Sequence, residues 1–303
     1  MRPPPPPPPP PRSEASGERS GGLPPNPLAA LAALFDTRLE GITGWEVAQG
    51  FSDTSLELRD PALRGYALRL ATRAILRRAH DLVGPIQPSR TIVREPLAEP
   101  YRGELDEEET LENILGKDIP DPADWIVARR EERRTQVALM MDTSLSMSGR
   151  NLALAAVAAA VLALRLKSED LSVIAFESSA KALKHLGSRD PPSRMVEELL
   201  GQPARGYTNI EEALETGRRE LARGRQARKV GLLITDGVYT AGRDPSAQAA
   251  RLPRLFVLLT EDYVMDEELC RRMARLGRGS VVRVRGYDDL PSRMLEVTTR
   301  LLR

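Results

Sequence analysis

From about residue 133 onward the chain repeats one pattern, a short apolar run followed by a helical stretch and another short apolar run. Val137 to Met141 and Leu171 to Phe176 are short and almost purely apolar, and Asn151 to Leu166 between them is helical and apolar nearly all round. Strand, buried helix, strand is the signature of a βαβ unit. Three further apolar runs, Val230 to Thr235, Leu255 to Thr260 and Val281 to Arg285, alternate with helical segments expected near 192–200, 209–223, 244–251 and 266–276, and a last helix follows Asp289. Ala182 to Leu186 reads as a short edge strand. Strands this apolar must be covered on both faces, so the expected fold is α/β, a mostly parallel sheet flanked by helices.

The rest of the chain divides by composition. Residues 3 to 11 are all proline, and the Ser/Gly/Glu/Arg stretch that follows has too little apolar content to offset the entropy of ordering it, so residues 1–25 read as a disordered Pro-rich tail. Asn26-Pro27 and Asp60-Pro61 both pair a capping side chain with a first-turn proline, which makes residues 26–85 a helical region. Leu63, Ala67, Leu70 and Ala74 form its expected packing seam, while Arg69, Arg73 and Arg77 line another face that reads as solvated. Residues 86–132 read as a linker with an acidic segment, Glu104 to Glu109, ahead of the domain at 133–303.

Composition narrows the chemistry. With 44 basic and 43 acidic residues the net charge is only +1, which argues against a surface built as a whole for nucleic acid. One cysteine, Cys270, excludes an internal disulfide or a thiolate zinc site, and two histidines, His80 and His185, exclude a histidine-rich centre. Cys270 is expected to be a packed helix residue and His185 a structural or surface one, both away from the site. No secretory h-region follows Met1, and the most apolar stretch, Leu152 to Leu164, is shorter than the roughly 20 residues of a membrane span, so a cytoplasmic location without a membrane partner is expected.

The chemistry-bearing residues sit where strands end. Asp142, Ser144 and Ser146 follow the first apolar strand at alternate positions, so they can face one ion. Thr208 lies in the loop Gly206-Tyr-Thr-Asn209, and Asp236 follows the strand at 230–235. In open α/β sheets, ligands gather at carboxyl ends of strands where the strand order reverses. All these donors are oxygen, which selects Mg2+, with Mn2+ or Ca2+ as alternatives, over zinc or copper. A D-x-S-x-S match alone arises by chance in roughly one chain in 25 of this length, so its placement after a strand and the later Thr208 and Asp236 carry the inference.

Together Asp142-Thr-Ser-Leu-Ser-Met-Ser-Gly149, Gly206-Tyr-Thr-Asn209 and Thr235-Asp-Gly237 resemble the three metal-contact loops of a von Willebrand factor type A (VWA) domain. The resemblance implies a Rossmann-like domain with a metal-ion-dependent adhesion site, in which Ser144 and Ser146 ligate directly, Thr208 directly or through water, and Asp142 and Asp236 largely through waters. Gly103-Glu-Leu-Asp106, Thr110 to Gly116 and Asp124-Trp125 further resemble the bacterial CoxE-like group. That likeness implies a partner of the MoxR-type AAA+ ATPase class and a role in maturation or metal-cofactor insertion of a client complex.

The function expected is therefore a non-enzymatic, Mg2+-dependent interaction adaptor that binds an acidic residue of a partner. The chain carries no Gly-x-x-x-x-Gly-Lys-Ser/Thr loop, so nucleotide hydrolysis would belong to another subunit. Two rivals remain open: a Mg2+-dependent phosphoester hydrolase using Asp142 and Asp236, and an RNA-binding adaptor using the helix from Arg69 to Arg78.

Overall fold

A computed structural model describes residues 26–34, 43–54, 58–83, 90–98, 103–132, 134–144, 149–202, 206–260, 265–285 and 287–302. The expected tail at 1–25 lies outside these. The central sheet contains β4 (Thr135–Asp142), β5 (Leu171–Phe176), β6 (Ala180–Lys184), β7 (Arg228–Thr235), β8 (Leu255–Thr260) and β9 (Val281–Val284), in the order β6-β5-β4-β7-β8-β9. Every neighbouring pair is parallel except β5 with the antiparallel edge strand β6. The order reverses at β4, which places its carboxyl end at the crossover of the sheet.

Helices cover both faces. On one side lie α5 (Arg150–Arg165), α6 (Pro192–Leu200) and α10 (Leu290–Leu302), and on the other α7 (Ile210–Arg223), α8 (Ser246–Ala249) and α9 (Glu267–Leu276). The pleat of β4 divides its side chains between the two cores. Val137, Leu139 and Met141 join the α5 side, and Ala138 and Met140 join the α7 side. The segment expected to be helical over 244–251 holds only the single turn of α8.

The all-round apolarity of α5 has a specific cause. Residues 152 to 162 are buried without a break, because the sheet takes one face and a layer of amino-terminal helices takes the other. These are α1 (Pro27–Leu34), α2 (Gly44–Thr54) and α3 (Pro61–Val83). In α3 the seam comprises Leu63, Ala67, Ala71, Ile75 and Ala79, with Leu70 and Ala74 of the expected seam rotated aside toward α2. There Gly44 makes the close approach, since a Cβ on it would lie 2.8 Å from the Leu70 carbonyl oxygen and 3.2 Å from the Ala74 Cβ. Alanines are frequent among the buried residues of both α3 and α5, and small side chains of this kind allow close helix packing. Arg69, Arg73 and Arg77 are exposed, as a solvated face should be.

The described residues of 86–132 hold more structure than a linker. Here β1 (Arg90–Pro96), β2 (Glu104–Leu105) and β3 (Ile126–Glu132) form a separate antiparallel sheet of order β1-β3-β2, with α4 (Glu107–Ile114) beside it. The acidic run is used locally. Asp106 caps α4 through the Glu109 N–H at 3.2 Å and pairs with Arg94 at 2.6 Å, which holds its carboxyl below the usual range. Only two residues separate β3 from β4, and Arg134 between them binds Asp170 at 2.7 Å and Glu169 at 3.2 Å.

Candidate metal centre

The site begins where β4 stops. Asp142 is the last residue of β4 and pairs in register with Phe176, the last residue of β5. Thr143 then fixes the exit of the strand, its N–H and Oγ1 both donating to the Phe176 carbonyl, at 2.9 and 3.1 Å. On the other flank Met141 pairs with Ile234 of β7, so Asp236 leaves β7 one step beyond the level of Asp142. Two strand ends thus present two carboxylates side by side.

The electrostatics confirm their proximity. Asp142 is only 3% exposed, and burial pushes its carboxyl from 3.8 to about 6; hydrogen bonds from Ser144 pull it back down, and the charge of Asp236 pushes it up. The Ser144 N–H donates to Asp142 Oδ1 at 2.9 Å. Among the described residues no basic side chain pairs with Asp142. A buried carboxylate beside a second carboxylate costs several kcal/mol unless a cation compensates it.

The third segment is stitched across this crossover. The Asn209 N–H donates to the Glu177 carbonyl at 2.8 Å and the Tyr207 N–H to Ser178 Oγ at 3.1 Å, both just beyond β5. At its other side the Thr208 N–H donates to Thr240 Oγ1 at 2.9 Å, and the Thr208 carbonyl accepts the Thr240 N–H at 2.9 Å, in the loop beyond β7. Because β4 lies between β5 and β7, these ties suspend the buried Thr208 over the strand that ends in Asp142. Asn209 then caps α7 through the Glu212 N–H at 3.1 Å.

Asp236 is positioned by the turn it opens. Its Oδ1 accepts the Val238 N–H at 2.8 Å and its carbonyl the Asp266 N–H at 3.0 Å. Gly237 sits at φ +86°, where a Cβ would lie 2.6 Å from the Asp266 carbonyl oxygen and 2.7 Å from the Cys270 sulfur. That corrects one expectation, since Cys270 lies against this turn rather than away from the site. Burial, with the charges of Asp266 and Asp236, pushes its thiol up to about 12, so it packs and does not act as a nucleophile. His185 is remote, following β6 near the start of β5 and bonded to Glu220 at 3.0 Å.

Ser146 lies outside the described residues. Asp142, Ser144, Thr208 and Asp236 are brought to one end of the sheet. Sequence reasoning missed Thr240, Ser178 and Glu177, which hold the Thr208 loop; position just past a strand end is the one signal that could have marked them. Among the described residues no three His, Cys, Asp or Glu side chains form a metal-holding group. The donors are instead two carboxylates and hydroxyls, a set that fits a hard divalent cation and not a soft one.

Among the described residues no helix is long and apolar enough to cross a membrane. No curated protein matches the chain. Among solved structures it is similar to a von Willebrand factor type A protein from Catenulispora acidiphila, at 17% identity over 71% of this chain and 50% of that one, TM-score 0.47. The conserved hypothetical protein BatB from Bacteroides thetaiotaomicron is similar at 19% identity over 55% of this chain and 98% of that one, TM-score 0.45. Proximal thread matrix protein 1 from the mussel byssus, solved with its MIDAS motif occupied by zinc, is similar at 15% identity over 55% of this chain and 48% of that one, TM-score 0.47. The chain thus spans about half the length of the Catenulispora and mussel proteins. The stretch that carries Asp142, Thr208 and Asp236 lies within residues 137–238, which match the family model of the von Willebrand factor type A domain.

Proposed function

We propose that this domain is a Mg2+-dependent interaction module that binds an acidic side chain of a partner and performs no turnover of its own. The observation that carries the reading is the buried Asp142 carboxylate, next to Asp236 and without a basic partner among the described residues. Asp142, Ser144, Ser146, Thr208 and Asp236 would hold the ion. The ion supplies positive charge at a position a foreign carboxylate can occupy, and the hydroxyls add donors without adding negative charge. Neither histidine is placed to act as general acid, because His185 is held by Glu220 remote from the strand ends and His80 is on the exposed face of α3. This favours binding over phosphoester hydrolysis.

The partners belong to the same proposal: a MoxR-type AAA+ ATPase, with a client complex undergoing maturation or metal-cofactor insertion. The resemblance of residues 103–125 to the CoxE-like group supports that part. The test is calorimetric titration of Mg2+ into the wild type, Asp142→Ala and Ser144→Ala, followed by pulldown of a co-expressed ATPase and client with and without excess EDTA. Wild-type-like Mg2+ binding by Asp142→Ala, or retention of every partner in EDTA, overturns the reading. Phosphoesterase turnover lost in Asp142→Ala would assign the hydrolase instead.

A further inference from the structure

The small β1-β3-β2 sheet with α4 does not cover its own apolar surface. Among the described residues from 84 to 136, Val127 is the one buried apolar side chain, and neither hydrophobic core draws a residue from this stretch. Seven large apolar side chains of the same stretch are exposed, among them Leu111 at 56%, Leu115 at 76% and Ile119 at 86%. A unit of this size with so small a core gains stability by lending its surface to something else.

The outward face of α4 shows what that surface fits. Its inward side is settled: Thr110 Oγ1 accepts the Ile126 N–H at 3.0 Å and Asn113 reaches the Asp124 carbonyl at 3.5 Å. Glu108, Leu111 and Glu112 of α4 and Leu115, its C-cap, recur at i, i+3, i+4 and i+7, so they lie along one side, and all four are exposed. Residues 103–124 hold nine acidic side chains and one lysine. Two cations near α4 are already taken, Arg94 by Asp106 at 2.6 Å and Lys117 by Asp124 at 2.6 Å. Glu107, Glu108, Glu112 and Asp118 make no ion pair among the described residues.

We infer that the stripe Glu108-Leu111-Glu112-Leu115 is a docking face for a basic amphipathic helix of a partner protein. Apolar side chains of that helix at i, i+3 or i+4, and i+7 seat against the two leucines, and its flanking lysines or arginines meet the unpaired glutamates. Charge excludes a second copy as the occupant. A two-fold dimer through this face would set the same acidic stripe against itself, which costs rather than stabilises. The face is independent of the metal centre, so the inference stands apart from the function proposed above.

The test uses the full chain and a fluorescent synthetic Leu/Lys amphipathic peptide of about five helical turns, with a Leu/Glu counterpart as control. Anisotropy should show binding of the Leu/Lys peptide in EDTA and in Mg2+ alike, and binding should weaken as salt rises. Leu111→Ser with Leu115→Ser, and separately Glu108→Lys with Glu112→Lys, should each weaken it by at least about tenfold. The serine variant must keep the wild-type urea denaturation midpoint, which shows that the fold is intact. Equal binding of the Leu/Glu peptide, unchanged binding by either variant, or no binding at all overturns the inference. Sedimentation showing a dimer that the serine variant abolishes would give the face to a second copy instead.

Discussion

Replacing Asp142 with asparagine should make the metal-free protein more stable and the metal-loaded protein less responsive. In the absence of a cation, burial lifts the Asp142 carboxyl from 3.8 to about 6, so the folded state holds its proton more tightly than the unfolded chain does. The stability this proton contributes is complete below the unfolded value and is lost as pH rises through about 6. Near neutral pH the lift amounts to a penalty of about 3 kcal/mol for keeping the carboxylate ionised. Asparagine is close to isosteric, carries no charge and keeps an acceptor for the Ser144 N–H. In EDTA at about pH 8, Asp142→Asn should therefore gain on the order of 1–3 kcal/mol in urea denaturation. Saturating Mg2+ should reverse the order, because binding at about 100 times Kd adds about 2.7 kcal/mol to the wild type and the variant forfeits most of it. If Asp142→Asn proves the less stable of the two in EDTA, or both proteins gain equally from Mg2+, the argument from an uncompensated buried carboxylate is wrong.

Other outcomes follow from neighbouring geometry. Gly237→Ala should cost about 2–4 kcal/mol in urea denaturation, since φ +86° is combined with contacts to Asp266 and Cys270 that a methyl group cannot make, and it should weaken Mg2+ binding by turning Asp236; wild-type stability would refute the strain. Ala71→Leu should cost about 1–3 kcal/mol by forcing α3 off α5, where Ala71 is fully buried, and an unchanged denaturation midpoint would show that the helical layer is loosely docked. Cys270 should resist iodoacetamide in the native protein near neutral pH and react on unfolding in urea, as followed by mass spectrometry; rapid native alkylation would contradict its burial.

The parallel strands were legible because they are apolar runs of the right length, and Leu171 to Phe176 and Leu255 to Thr260 fall as expected, whereas the edge strand, two of its five residues lysine, lies at Ala180–Lys184, two residues ahead of the expected Ala182 to Leu186. The strand-end positions of Asp142 and Asp236 were legible because the apolar runs before them stop there, and the parallel register of β4 with β7 puts Asp236 one step beyond Asp142. The small amino-terminal sheet was not. Its strands, such as Arg90–Pro96 and Ile126–Glu132, hold only two or three contiguous apolar residues beside clustered Arg and Glu, so no period-2 alternation marks them and backbone pairing reveals them. The apolar wrap of α5 was read correctly as burial, yet nothing in it says that its second cover is α3, which is a long-range packing choice. The place of Cys270 beside Gly237 is likewise a tertiary fact, set by how α9 returns against the β7 exit.

Strand β4 acts as a ruler. Its eight residues span about 25 Å, with Asp142 at one tip and the small sheet joined at the other through Arg134, itself clamped to Glu169 and Asp170. A body gripped at one tip is therefore held clear of anything resting on α4, and the stiffness of a fully buried strand keeps that separation from collapsing. Under the proposed function, geometry of this kind would keep a partner bound at the strand ends apart from one docked on α4.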